Sequence, residues 1–307
     1  MFQLNKGWIF KFSIMSMLLV VLLAGCGNGN ENQSNQAGNA ANTAASSDDK
    51  GPARIVVTYF PYADHLFALG KADAVAGVVN LKSLQDFKVY EPFLKDGKIA
   101  DLGSAIDYEQ IMALKPDLII ASDADKDSID ELSKIARTVT VNATLNWQET
   151  IRGVAAAVGD EAAADTYISE FLTKQTDTAA ELEKAGVTGK TALFMMPWEQ
   201  SFSYWSGSRL AIYYEKLGFK PFEGLQNVGQ ISLEGIAELD PEYIFIGKDY
   251  THASDISLED LNKSAVWNSL SAVKNNKMFV VDTEILGPLA MGQFKGLEYM
   301  SDLFAAK

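Results

Sequence analysis

Short apolar runs and longer segments with helical spacing alternate along most of this chain. The runs cover residues 54–58, 75–79, 118–121, 138–141, 191–196, 243–246 and 277–282. They are short enough for buried strands, and the segments between them show helical spacing of apolar residues. This alternation predicts parallel βα units. One stretch occurs twice: Tyr108-Glu109-Gln110-Ile111-Met112-Ala113-Leu114-Lys115-Pro116-Asp117-Leu118-Ile119-Ile120 returns 125 residues later as Leu233-Glu234-Gly235-Ile236-Ala237-Glu238-Leu239-Asp240-Pro241-Glu242-Tyr243-Ile244-Phe245. In each copy a cap residue, Asp107 or Ser232, opens a short helix, a proline ends it, and an apolar strand follows at once. The period is too long for a solenoid and occurs only twice, so it marks two similar lobes.

Between the repeats, Asp160 is placed to cap a helix running through Tyr167, Ile168, Phe171, Leu172 and Leu182 to Gly186, where a glycine stop is expected. At 1.5 Å per residue this helix would span roughly 39 Å. The predicted fold is therefore α/β, with two similar parallel-sheet lobes, residues 52–159 and 187–307, joined by one long helix at 160–186. A closing helix is expected near 291–305.

The first 51 residues follow other rules. Lys6 and Lys11 precede a short apolar stretch that ends in Leu23-Ala24-Gly25-Cys26. That is the layout of an export signal, and it is too short for a bilayer span of roughly 20 residues. The tetrad resembles the bacterial lipobox, which implies removal of residues 1–25 and lipidation of Cys26, the only cysteine. Residues 26–51 are Asn, Gly, Gln, Ser and Ala with a few charges, and should form a disordered tether. As a flexible coil it reaches roughly 25–30 Å.

Charge narrows the partners. The chain has 26 basic and 40 acidic residues; the signal removes two lysines, leaving 24 against 40, a formal −16. Nucleic acid and anionic lipid surfaces both call for a basic face, so membrane contact is expected through the lipid alone.

Ligands of open α/β lobes sit outside the carboxyl ends of strands. The segments expected there are rich in rings: Tyr59, Phe60, Pro61, Tyr62 and His65 follow the first strand. Trp198, Tyr204, Trp205 and Arg209 follow the first strand of the second lobe, and Tyr250 and His252 follow its repeat strand. Such a cleft suits a bulky, partly apolar ligand whose oxygen atoms Arg209 can contact. Two histidines are too few for the usual bare-metal site. Gly189-Lys190-Thr191 precedes a strand rather than following one, so it is no phosphate loop. His-Glu-x-x-His, Cys-x-x-Cys and Gly-x-Ser-x-Gly are absent. A tethered cleft hydrolase, the rival class, would need a titratable constellation that these residues do not display.

Residues 54–58 with Leu66-Phe67-Ala68-Leu69-Gly70, the paired Glu-x-Ile-x-x-Leu-x-Pro units, and the stretch from Val266-Trp267-Asn268-Ser269-Leu270 to Phe279-Val280-Val281-Asp282 resemble the helix-bridged substrate-binding lipoproteins of ABC importers for iron-siderophores, ferric citrate, haem and cobalamin. The resemblance implies a non-enzymatic, monomeric protein on the outer face of the cytoplasmic membrane. It implies capture of a ferric-siderophore-type chelate, no cofactor beyond the iron carried inside that chelate, and delivery to an ABC permease dimer. In that family an acidic residue at the top of each lobe docks on permease arginines; Glu109 and Glu234 match those positions. Haem is the alternative ligand, with His65 and His252 as its contacts if they face one another.

Overall fold

The computed structural model describes residues 51–305, so the signal segment, Cys26 and the tether up to Lys50 lie outside the described residues. Five strands form the first sheet: β1 (Ile55–Val57), β2 (Val75–Val78), β3 (Ala100–Asp101), β4 (Leu118–Ser122) and β5 (Arg137–Val141), in the order β3-β2-β1-β4-β5. All its pairings are parallel. β1, β2 and β4 are buried throughout, as continuous apolar runs in a helix-covered parallel sheet should be. The second sheet contains β6 (Ala192–Trp198), β7 (Ser201–Trp205), β8 (Val228–Ile231), β9 (Tyr243–Gly247) and β10 (Met278–Val281), ordered β10-β9-β6-β7-β8.

The repeat is structural in detail. Asp107 accepts hydrogen bonds from the N–H groups of Glu109 and Gln110, and Ser232 from that of Gly235. Both helices end in a residue with positive φ directly before the proline, Lys115 at 47° and Asp240 at 41°. Each following acid then ties the edge of its lobe's first strand. Asp117 accepts from the N–H groups of Ala53 and Arg54, and Glu242 from that of Thr191.

The second lobe departs from the expected all-parallel sheet. β10, β9 and β6 are parallel, but β6 turns back through Glu199 (φ 49°) and Gln200 into antiparallel β7, which pairs with antiparallel β8. A two-residue turn permits only an antiparallel return. Between the lobes a helix spans Glu161–Lys184, about 36 Å long, and Gly186 just beyond it has φ 72°. Asp160 does not cap this helix with its side chain; its carboxylate pairs with Lys71 at 2.6 Å. The closing helix, Ala290–Phe304, packs along the bridging helix and also touches the first helix of the N-terminal lobe. No helix among the described residues is long and apolar enough to cross a membrane.

Candidate functional site

A cavity of about 780 Å³ opens between the lobes. Its N-terminal wall comes from residues after β1, β2 and β5: Tyr59, His65, Phe87, Asn146 and Trp147 among them. Its C-terminal wall carries Trp205 at the end of β7, Arg209 beyond it, Tyr250 beyond β9 and Glu284 beyond β10. Phe87 and Tyr250 meet edge to face across the lobes, with ring centroids 4.9 Å apart. A volume of this order, walled by rings with a few polar groups, fits one bulky small molecule.

The cavity gathers Tyr59, Phe60, Pro61, His65, Trp205, Arg209 and Tyr250 from the residues singled out in the sequence. The other four lie elsewhere. Tyr62 is on the helix Phe60–Ala68 rather than in a loop; it is fully buried and its hydroxyl donates to the carbonyl of Val141 at 2.7 Å. Burial raises its phenol to about 12, and its ring supports Tyr59 edge to face. Tyr204 is an inward residue of β7, packed with Phe202 and Trp267 in the second-lobe core. Trp198 ends β6 at the hairpin turn, off the cavity. His252 is exposed in the loop after β9, with φ 57°. A histidine pair across the cleft is therefore not assembled.

Arg209 is exposed, makes no ion pair among the described residues, and is the one cationic side chain lining the cavity. Its placement depends on the turn before it. Gly207 has φ 54°, and a Cβ there would lie 2.2 Å from Asn227 Oδ1. Asn227 Nδ2 donates to Ser208 Oγ at 2.9 Å, and its Oδ1 accepts from the Ser208 N–H at 3.3 Å. The glycine is required by both backbone and space.

The cavity's floor is tied across the lobes by two carboxylates that the sequence did not single out. Asp64 is fully buried and accepts from Tyr90 Oη (2.8 Å) and from the N–H groups of Ala290 (3.0 Å) and Met291 (3.1 Å). It thus caps, from the other lobe, a closing helix that has no side-chain cap of its own. Burial still outweighs these donors and pushes its carboxyl up to about 6. His65 Nδ1 is 3.5 Å from Asp64 and has no hydrogen-bond partner; burial pushes the ring down to about 3. In return, Glu284 of the second lobe accepts from the Val89 N–H at 3.2 Å, and Asp282 pairs with Lys88 at 3.3 Å.

Glu109 and Glu234 are exposed in the first turns of the two repeat helices, outside the cavity, and neither makes an ion pair among the described residues. No group of three or more His, Cys, Asp or Glu side chains among the described residues is arranged to hold a metal ion.

Comparison with known proteins agrees with this architecture. The iron(3+)-hydroxamate-binding protein YxeB of Bacillus subtilis is 30% identical over 254 residues, covering 77% of this chain and 75% of its own. The petrobactin-binding protein YclQ of the same organism is 27% identical and covers 89% of this chain and 91% of its own. The crystal structure of YclQ superposes with a TM-score of 0.67 at 23% identity, over 84% of this chain and 94% of the other, which shows a shared fold. The family model for periplasmic binding proteins matches residues 55–285, spanning both sheets and the helix between them, and the chain belongs to that family.

Proposed function

We propose that this protein captures a ferric chelate of low overall charge, of the hydroxamate type, in the interlobe cavity and passes it to an ABC permease. The observation that carries the reading is a ring-lined cavity of about 780 Å³ with Arg209 as its single cation. Three singly charged hydroxamates neutralise ferric iron, whereas three doubly charged catecholates leave a trianion. In a chain of formal charge −14, one guanidinium suits the first and is a poor match for the second. The hydroxamate-binding name of the 30% identical relative supports the same class. The iron travels inside the chelate as cargo, no bond is made or broken, and the protein acts as a monomer. Cys26 carries the lipid anchor on the outer face of the cytoplasmic membrane, and Glu109 and Glu234 meet the permease. Haem is less well supported, because His252 lies off the cavity.

The test is a fluorescence titration of the body without signal and tether, using Trp147 and Trp205, which line the cavity, as reporters. A ferric trihydroxamate should bind with a micromolar or tighter constant, and a ferric tris-catecholate should bind more weakly. Arg209→Ala should weaken the hydroxamate complex by about 1.5–3 kcal/mol, as expected for a hydrogen bond from a charged group. Tighter binding of the trianion would overturn the charge argument, and unchanged affinity in the variant would place Arg209 outside the contact.

A further inference from the structure

The cavity has a second charge, of the opposite sign. Glu284 is the one carboxylate among its lining residues, although only 6% of the residue is exposed. Apart from its own backbone N–H, it receives a single hydrogen bond, from Val89. A carboxylate accepts about four, so the protein's own donors leave room on it for others. Nor does an ion pair neutralise it: Lys88 and Lys248 are the nearby cations, and both are engaged by Asp282, at 3.3 and 2.6 Å. Burial raises its pKa, because desolvation penalises the charged form.

Position separates this charge from Arg209. Glu284 follows β10 and Arg209 follows β7, and β9 and β6 run between those two strands. Three strand spacings put the flanks about 14 Å apart in the hydrogen-bonding direction. The same cavity carries rings: Val89, whose N–H donates to one carboxylate oxygen of Glu284, is two residues from Phe87, and Phe87 stands edge to face against Tyr250. A carboxylate that shares a cavity with aromatic rings is a composition that receives an ammonium group.

We propose that Glu284 forms a cation-recognising subsite, which holds the protonated amine of a ferric chelate that bears one while Arg209 faces the oxygen atoms around the iron. The inference rests on the hydroxamate-type reading above and adds a requirement on the ligand: a pendant primary amine that reaches from the iron centre to the β10 flank.

Two probes decide it: a linear ferric trihydroxamate ending in a free primary amine, and the same chelate N-acetylated at that amine. The wild-type protein should bind the amine form at least about tenfold more tightly. Glu284→Gln keeps an oxygen to accept from Val89 but loses the charge, and should bring the ratio of the two constants close to one. Equal wild-type affinity for both probes would overturn the subsite and leave the hydroxamate reading standing. No measurable binding of either probe would overturn both. A Gln variant that retains the full preference would also overturn the assignment to Glu284.

Discussion

At the residue scale the most informative pair is Asp64 and His65, neighbours in sequence whose burial shifts oppose each other. Ordinary values are 3.8 and 6.5; the folded protein moves them to about 6 and about 3. Between roughly pH 4 and 6 the unfolded chain holds one proton on this pair, on His65. The folded chain also holds one, on Asp64, so the pair contributes almost no pH dependence to stability in that window. Single substitutions should uncover the hidden halves. Asp64→Asn leaves a histidine that is neutral when folded and protonated when unfolded, so stability relative to wild type should fall as pH drops from about 6.5 toward 3. His65→Asn leaves an acid with a raised folded pKa, so relative stability should rise as pH drops from about 6 to 4. Each slope is bounded by one proton, about 1.4 kcal/mol per pH unit. Urea unfolding across pH 4–7 reads both, and parallel profiles for wild type and the two variants would sink the idea. Of the residues that build the cavity, the sequence displayed Tyr59, Phe60, Trp205, Tyr250 and Arg209, but not the rings of Phe87, Tyr90 and Trp147. It concealed Asp64 and Glu284, because isolated acids read as solvated and only tertiary packing buries them. One local clue existed for Asp64: Pro61 to Phe67 offer almost no polar face, the pattern of a helix buried all round.

Among the elements, those specified by short-range pattern were legible. The repeat helices, the proline stops and the parallel strands follow from apolar runs and cap residues that act over a few positions, and the bridging helix from its apolar spacing and the glycine stop at Gly186. The β6–β7 hairpin is hidden in the sequence, because Trp198, Tyr204 and Trp205 have the look of loop rings facing a cleft. The available signal was the period of two: Phe202 and Tyr204 face the core, while Ser201, Ser203 and Trp205 are half-exposed. Pro61 likewise marked a helix start rather than a loop. The closing helix shows how close contacts set an element's position. Gly296 lies where a Cβ would come 2.0 Å from Tyr213 Oη, whose hydroxyl donates to the Ile285 carbonyl at 2.7 Å. On helix propensity alone Gly296→Ala would stabilise by about 1 kcal/mol. The contact should reverse that sign, since overpacking typically costs about 1–3 kcal/mol and the buried tyrosine hydroxyl would lose its place. Urea denaturation gives the sign directly; a more stable Ala variant would mean that the helix shifts freely on the lobe.

For the whole molecule, the fold separates the interlobe cavity from the paired acids of the repeat helices. Rings and a few polar groups converge on the interlobe cavity, and the lobes are tied beside it by Asp64 from one and Glu284 from the other. Glu109 and Glu234 occupy equivalent first turns on opposite lobes, exposed and outside that cavity. A carboxylate in a first turn is stabilised by the helix dipole by about 0.3–1 kcal/mol and by itself implies no partner. Duplication in both lobes is what favours docking, because a permease dimer with two basic pockets can read one acid on each side through charge-assisted bonds. Replacing both with Arg should therefore leave the chelate dissociation constant within about threefold, only about 0.65 kcal/mol, since neither side chain lines the cavity. Uptake should collapse, because two attractive pairs become two repulsive ones against the proposed pockets. Either single reversal should give an intermediate defect, and loss of docking without loss of binding separates this outcome from misfolding. The measurement is iron-chelate accumulation in cells that depend on this protein, alongside fluorescence titration of the purified variant. Normal accumulation with the double reversal would return both glutamates to the role of helix-start residues, and the permease would have to recognise some other feature of the two lobes.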